Sequence, residues 1–359
     1  VTGGLVGKLL ESSITSSYAT GNVTGTKDNT GGLVGEASQG IISKSYAIGS
    51  VSGANGGRRG GLVGYMGNNS KIFSSYATGS VSGRNQVGGL VGYIIGSDSS
   101  ISNSYATGSV SGNEVGGLVG MYVDGSVTNS YWDTEKSGRA TSSGGTGLTT
   151  AQMKEASRYS AWDTENVWYL NGGQSAPLLR SFLTPLTVKA DAATKVYDGS
   201  AAAGPTNAIY TPGTYDTSKV LGTLTWSGNT DAGSYGLSGP YTTGQDGCSI
   251  NYDAATTLTI TPKALTLIGS RVYDGSTTAK GTDFTGGVIA TGIGTQKLNL
   301  SGEGTLSAKN VGEQILTTLG SLTLADGTGG KASNYTLMGG GSIVTVTRKT
   351  LTASATVAD

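Results

Sequence analysis

GGLVGYIIGSDSSISNSYATGSVS, residues 88–111, decides the fold, because most of it recurs along the chain at a fixed spacing. Gly-Gly-Leu-Val-Gly begins at Gly3, Gly31, Gly60, Gly88 and Gly116, in steps of 28, 29, 28 and 28 residues. Ser-Tyr-Ala-Thr-Gly or a close variant keeps pace, with its tyrosine at Tyr18, Tyr46, Tyr76, Tyr105 and Tyr131. A period of this size marks units that bury their apolar faces only by stacking on one another. In the quoted stretch, residues 89–94, 101–106 and 109–111 read as short strands between Gly or Asn/Asp/Ser turns, with no helical period. Three short strands per repeat form one coil of a β-solenoid, whose aligned positions stack about 4.8 Å apart.

Three apolar columns then run along the coil axis. They are Leu5, Leu33, Leu62, Leu90 and Leu118; Ile14, Ile42, Ile72, Ile101 and Val127; and Val23, Val51, Val81 and Val110. The tyrosine column is the ambiguous one. Lys44, two residues before Tyr46, shares its face by strand alternation, and a charge does not belong inside so small a coil. That parity points the neighbouring Ser and Ala columns inward and the tyrosines outward, and it requires a bend between the tyrosines and the isoleucine column. The alternative is that the rings pack into a corner of the core. Exposed, Tyr18, Tyr46, Tyr76 and Tyr105 would form a stacking stripe for sugars.

The fifth repeat breaks the pattern at Tyr131-Trp132-Asp133-Thr134. Trp132, Trp162 and Trp168 fall between residues 131 and 183, which read as a cap over the solenoid's open end. Thr149 and Gln152 have the spacing of a capping box opening one short helix. Within the cap, Trp162, Trp168 and Tyr169 form a second candidate carbohydrate site. After Pro185 the composition shifts and a second duplication begins. Lys-Val-Tyr-Asp-Gly at residues 195–199 returns as Arg-Val-Tyr-Asp-Gly at 271–275, and each unit ends with an Asn-Tyr pair, at Asn251 and Asn334. Units of this size, all strand and turn, predict two antiparallel, immunoglobulin-like sandwiches over residues 186–262 and 263–347. Thr261-Pro262-Lys263 is too short for a flexible tether. Residues 348–359 open like a third unit, so the chain reads as a piece of a longer stiff rod. The fold expected is therefore all-β: a solenoid of about five coils over residues 1–130, a cap over 131–183, and two sandwich modules.

Composition narrows the chemistry. The 359 residues hold 23 basic and 23 acidic side chains, no histidine and a single cysteine, Cys248. Without histidine, Ser-His-Asp and Cys-His catalysis fail, and with one cysteine neither an intrachain disulfide nor a Cys/His zinc site can form. Balanced charge implies no nucleic-acid partner, and no apolar run is long enough for a membrane helix. No Asp-x-Asp-x-Asp-Gly calcium loop occurs, and no cofactor is expected. Asp133/Glu135 and Asp163/Glu165 are the close carboxylate pairs of the cap, read as solvated turn charges. A Lys195–Asn251 crosslink is disfavoured, since Arg271 holds the matching place in the second module.

The spaced Gly-Gly-Leu-Val-Gly and Ser-Tyr-Ala-Thr-Gly blocks resemble the GLUG repeat of large bacterial exoproteins. Residues 130–135, 147–153 and 168–179 are similar to the segment that ends such arrays. Val-Tyr-Asp-Gly with a downstream Asn-Tyr resembles the YDG-type domains of filamentous-haemagglutinin-like adhesins, many exported by two-partner secretion. The resemblance implies a secreted or surface-held, non-enzymatic adhesin of a Gram-negative biofilm former, meeting exopolysaccharide, host or cell-surface glycans, or other adhesin copies. The competing expectations are a polysaccharide-degrading solenoid enzyme with accessory sandwiches, and a structural filament with no ligand.

Overall fold

A computed structural model describes residues 1–26, 29–53 and 57–352. The repeat folds as a parallel β-solenoid, but each of the first four coils carries five short strands where three were expected. In the fourth coil these are Val87–Gly88, Val91–Ile94, Ser100–Ser102, Tyr105–Ala106 and Val110–Ser111. Like residues stack on like: Gly31 on Gly60, Val63 on Val91, Ile42 on Ile72, Tyr76 on Tyr105. The extra break in the middle segment is the bend that parity demands. Ser16, Lys44, Ser74, Asn103 and Asn129 all have φ between 44° and 51°. One left-handed residue per coil turns the strand and moves the tyrosines onto the outer face while the isoleucines stay inside.

Leu33, Leu62, Leu90, Leu118 and the isoleucine column share the main core with Ala19, Ala47, Ala77 and Ala106. Leu5, on the first coil, is half exposed because it has a neighbour on one side only. The valine column is buried too, but as a separate cluster of Val51, Val81 and Val110 with Val87. The glycine pair before each leucine is required for room. A Cβ on Gly60 would lie 1.9 Å from the Val63 carbonyl oxygen, and one on Gly61 would lie 2.1 Å from that of Gly89. The serines beside the tyrosines form a buried hydroxyl ladder. The amides of Ser45, Ser75 and Ser104 donate to Oγ of Ser75, Ser104 and Ser130 on the next coil. Each of those hydroxyls donates in turn to the carbonyl two residues before it. An unmet buried amide costs about 1–3 kcal/mol, and these serine amides are met by hydroxyls, so the column favours serine.

Trp132 takes the place of alanine above Ala106 and closes the main core. Asp133 N-caps the single α-helical turn Thr134–Ser137, and Thr146–Leu148 adds a further parallel strand onto Tyr131–Asp133. The helix expected from Thr149 is a 3₁₀ turn, Gln152–Lys154, ended by extended Glu155. Its capping box is present: the Thr149 amide donates to Gln152 Oε1 at 3.0 Å, and the Gln152 amide to Thr149 Oγ1 at 3.1 Å.

The chain forms two compact units, whose first break falls after residue 186 but which divide the first expected sandwich between them. The first comprises 1–186, 214–222 and 240–251; the second comprises 187–213, 223–239 and 252–359. Two segments of the first sandwich thus belong with the solenoid. The Asn171 amide group ties one of them down, donating to the Thr242 carbonyl and accepting from the Thr242 amide, both at 2.9 Å.

The second unit repeats one strand arrangement twice. Ala193–Val196 runs parallel to Leu258–Thr261, which is antiparallel to Gly233–Tyr235. Ile268–Val272 runs parallel to Ile343–Thr347, which is antiparallel to Gly312–Thr318. The modules are therefore mixed sheets, a departure from the purely antiparallel sandwich expected, because the second strand of each module pairs in parallel with its last strand across the intervening chain. Lys195 and Arg271 play one role. Lys195 Nζ meets Asp198 at 2.8 Å and Ser200 Oγ at 2.9 Å; Arg271 Nη1 meets Asp274 at 2.7 Å and Ser276 Oγ at 3.1 Å. Each cation clamps its own Asp-Gly-Ser turn. Residues 348–352 of the third-unit sequence carry no strand, and 353–359 lie outside the described residues.

Candidate functional site

The tyrosine face follows from the bend. Outside the coil, Tyr18, Tyr46, Tyr76 and Tyr105 stack nearly parallel, with centroids 5.1, 5.0 and 4.9 Å apart. Register forces this, since identical residues sit one strand spacing apart. Their faces are therefore taken up by each other. The segment after the solenoid then covers their edges. Phe182 meets Tyr18 and Tyr46 edge-on at 5.6 and 5.0 Å, Trp168 lies 5.8 Å from Tyr105, and Trp162 lies 5.8 Å from Tyr131.

Five of the seven candidate sugar-stacking residues, Tyr46, Tyr76, Tyr105, Trp162 and Trp168, thus form a second hydrophobic core with Leu148, Met153, Tyr159 and Leu179. Tyr46, Tyr76 and Tyr105 are at most 6% exposed, and Trp162, Trp168 and Tyr169 at most 7%. Tyr18 alone of the seven is open, at 52%. The column points outward, as parity requires, and is buried all the same. As ring platforms for sugars the other six are covered. The physical reason is area: large rings on a flat sheet are among the most favourable surfaces to remove from water, and the chain supplies its own cover. Trp162 and Trp168, expected to plug the coil's end, lie along its side.

Burial sets the electrostatics. The Tyr46 hydroxyl is pushed up to about 12, first by burial and then by neighbouring Tyr18. Tyr76 and Tyr105 are raised well above the ordinary phenol value for the same leading reason. Both hydroxyls are bonded: Tyr76 donates to Gln245 Oε1 at 2.9 Å and Tyr105 to the Pro177 carbonyl at 2.8 Å. Gln245 also bridges both backbone groups of Leu179, accepting at 2.7 Å and donating at 2.6 Å.

Alongside the cover a groove of about 1040 Å³ remains open. Its floor is the hydroxyl edge of the tyrosines and the next outward column, Thr20, Ile48, Thr78 and Thr107. Lys136, Lys154, Gln174, Ser175, Asp133 and Asp246 form its rim. The charges there are unequal. Asp133 is buried, its Oδ1 accepting from the amides of Glu135 and Lys136, with Thr150 Oγ1 donating to the carboxylate as well. Asp246 pairs with Lys219, which holds its carboxyl below the usual range. Lys136 and Lys154 are exposed, and neither ammonium has an ion-pair or hydrogen-bond partner among the described residues. The groove therefore sets two exposed ammoniums without ion-pair partners beside neutral hydrogen-bonding groups and the hydrogen-bonded Asp133 carboxylate.

The remaining candidates are structural. Asp163 Oδ1 accepts from the amides of Glu165 and Asn166, which lowers its carboxyl, so this pair caps a turn. Cys248 is buried, and burial raises its thiol. Among the described residues no group of three or more Cys, Asp or Glu side chains is placed to hold a metal ion, and no helix is long and apolar enough to cross a membrane. Sequence reasoning missed the threonine column, although it stands in Tyr-Ala-Thr, and missed the lysines. Gln245 left no local signal, lying far along the chain from the tyrosine it meets.

No curated protein matches the chain. The GLUG motif model matches residues 1–24 and 83–111, the first and fourth coils, and the YDG domain model matches residues 254–345. The chain carries GLUG motifs in its β-solenoid and a YDG domain in the module that closes the second unit.

Proposed function

We propose that this chain is a non-enzymatic segment of an extracellular adhesin, in which the solenoid groove holds an acidic exopolysaccharide and the modules serve as a stiff stalk. The observation that carries the reading is the repeated open strip. Thr20, Ile48, Thr78 and Thr107 lie on successive coils beside tyrosine rings 4.9–5.1 Å apart, close to the length of one hexose in an extended chain. Three of the four positions, Thr20, Thr78 and Thr107, carry hydroxyls that suit a polymer whose own hydroxyls repeat at that interval, and Ile48 between them offers an apolar contact. Each contact is weak, and linkage along one polymer makes the sum useful. The unpaired Lys136 and Lys154 at the rim favour uronate carboxylates over neutral sugars. A hydrolytic role for the groove finds less support, since Asp133 is already engaged by three donors and Asp246 by Lys219.

The test is retention of the intact chain on a polyuronate gel against a dextran gel. The chain should be held on polyuronate and released by salt. Lys136→Ala with Lys154→Ala should weaken retention about tenfold, equivalent to roughly 1.4 kcal/mol, without altering the melting temperature. Equal retention on both gels, or none on either, sinks the proposal; the latter result leaves the structural-filament reading in its place.

A further inference from the structure

The register of the second unit aligns its two modules residue by residue. Lys195 pairs with Ile260, itself paired with Gly233; Arg271 pairs with Val346, itself paired with Gly312. Tyr197 therefore corresponds to Tyr273, Gly199 to Gly275, and Asp231-Ala232 to Asn310-Val311. In the first module these positions are covered by the second. Tyr197 is buried edge-on against Tyr335, with centroids 5.3 Å apart. Gln296 joins the two rings: Tyr335 donates to its Oε1 at 2.6 Å, and its Nε2 donates to the Tyr197 hydroxyl at 3.2 Å. A Cβ on Gly199 would lie 2.6 Å from Ile293 Cγ2. The Ala232 amide donates to Asn334 Oδ1, and Asn334 Nδ2 to Asp231 Oδ1, both at 2.7 Å. The late Asn-Tyr pair of one module is thus seated on the Tyr-Asp-Gly end of the module before it.

The second module presents the same end open. Tyr273 is only half-buried and Val311 is 49% exposed. Among the described residues nothing lies within 4 Å of a Cβ on Gly275. Val196 and Val272, outside the joint, are equally exposed in both modules, at 58% and 57%, so the difference is confined to the positions the joint covers. Lys349-Thr350-Leu351-Thr352 repeats Lys263-Ala264-Leu265-Thr266, where the second module begins, and Leu351 is exposed where Leu265 is buried.

We propose that the Tyr273–Gly275–Val311 end is a docking surface for a further module of the same kind, continued in cis through residues 348–352, whose Asn-Tyr pair seats there as Asn334-Tyr335 seats on the first module. The proposal is independent of glycan binding. Asn310 in place of Asp231 keeps an acceptor for the incoming asparagine and drops the partner that Lys331 has in the existing joint. An ion pair so exposed contributes little, so the joint retains its essential bonds.

The experiment extends the full chain after Lys349 with a second copy of residues 264–347 and follows amide hydrogen exchange. The Val311 amide, counterpart of Ala232, should exchange at least about tenfold more slowly than in the unextended chain. Asn→Ala at the appended copy's counterpart of Asn334 should restore the faster rate. Val311→Lys in the receiving module should do the same for Gly275; its exposure makes it safe for the fold. Asn334→Ala in the unextended chain should release Ala232, which calibrates the readout. Unchanged exchange at Val311 in the extended chain overturns the proposal. So does concentration-dependent protection of Val311 in the unextended chain, which would make the partner a second molecule.

Discussion

Tyr76 has a tyrosine on each face and Trp168 at 6.4 Å, and it is 2% exposed. Tyr76→Ala should therefore destabilise the first unit by about 3–5 kcal/mol, the range for a deleted core aromatic. Tyr18→Ala, at a half-open ring, should cost well under half as much. Urea denaturation of the two variants checks the contrast, and equal losses would contradict the burial gradient. Titration supplies a second check. Tyr46, Tyr76 and Tyr105 have folded values raised above the free phenol, so the folded state holds its protons longer than the unfolded chain. Their contribution is complete below pH 10 and is lost as pH rises through the folded values. The first unit's melting temperature should fall steeply from about pH 10 to 12, and replacing Tyr46, Tyr76 and Tyr105 together by phenylalanine should remove most of that fall. A fall of the same size with all three replaced by phenylalanine would show that these hydroxyls are not its source. Lys44 points this column outward in the sequence, but the same residues also fit rings packed in a corner of the core, so the sequence alone leaves its direction open. What covers the face was not readable, because Phe182 and Gln245 answer to no repeat.

At the scale of the coil, the ladders were legible because an in-register parallel stack turns period into contact. Leu62 is fully buried with Leu33 and Leu90 above and below it. Leu62→Asp should abolish the cooperative transition of the solenoid, since an unpaired carboxylate there costs several kcal/mol at least. A full thermal transition in that variant would remove the ladder as the source of stability. The capping box at Thr149 was equally legible, being local chemistry. The length of the turn it opens was not, because extended Glu155 ends it after three residues. Parallel pairing in the modules was hidden for a related reason: alternation marks a strand, but neither its partner nor its direction.

For the molecule as a whole, duplication was visible at both periods, and it locates the solenoid groove as well as the open module end. The groove reading predicts salt-sensitive retention on polyuronate that depends on Lys136 and Lys154. The division into units was not visible, because residues 214–222 and 240–251 leave their module for the solenoid's unit through side chains such as Asn171.

The aromatic stack also has an optical consequence. Four tyrosines at about 5 Å intervals, with Trp168 and Trp162 beside the same row, form a short relay for excitation energy. Light absorbed by any ring in the row should pass to indole within the covered state, so tyrosine emission is dark while the cover is seated. If force lifts residues 148–182 from the coil, the row should light up in the tyrosine band before any coil unwinds. The chain would then carry a built-in strain gauge, readable without a label.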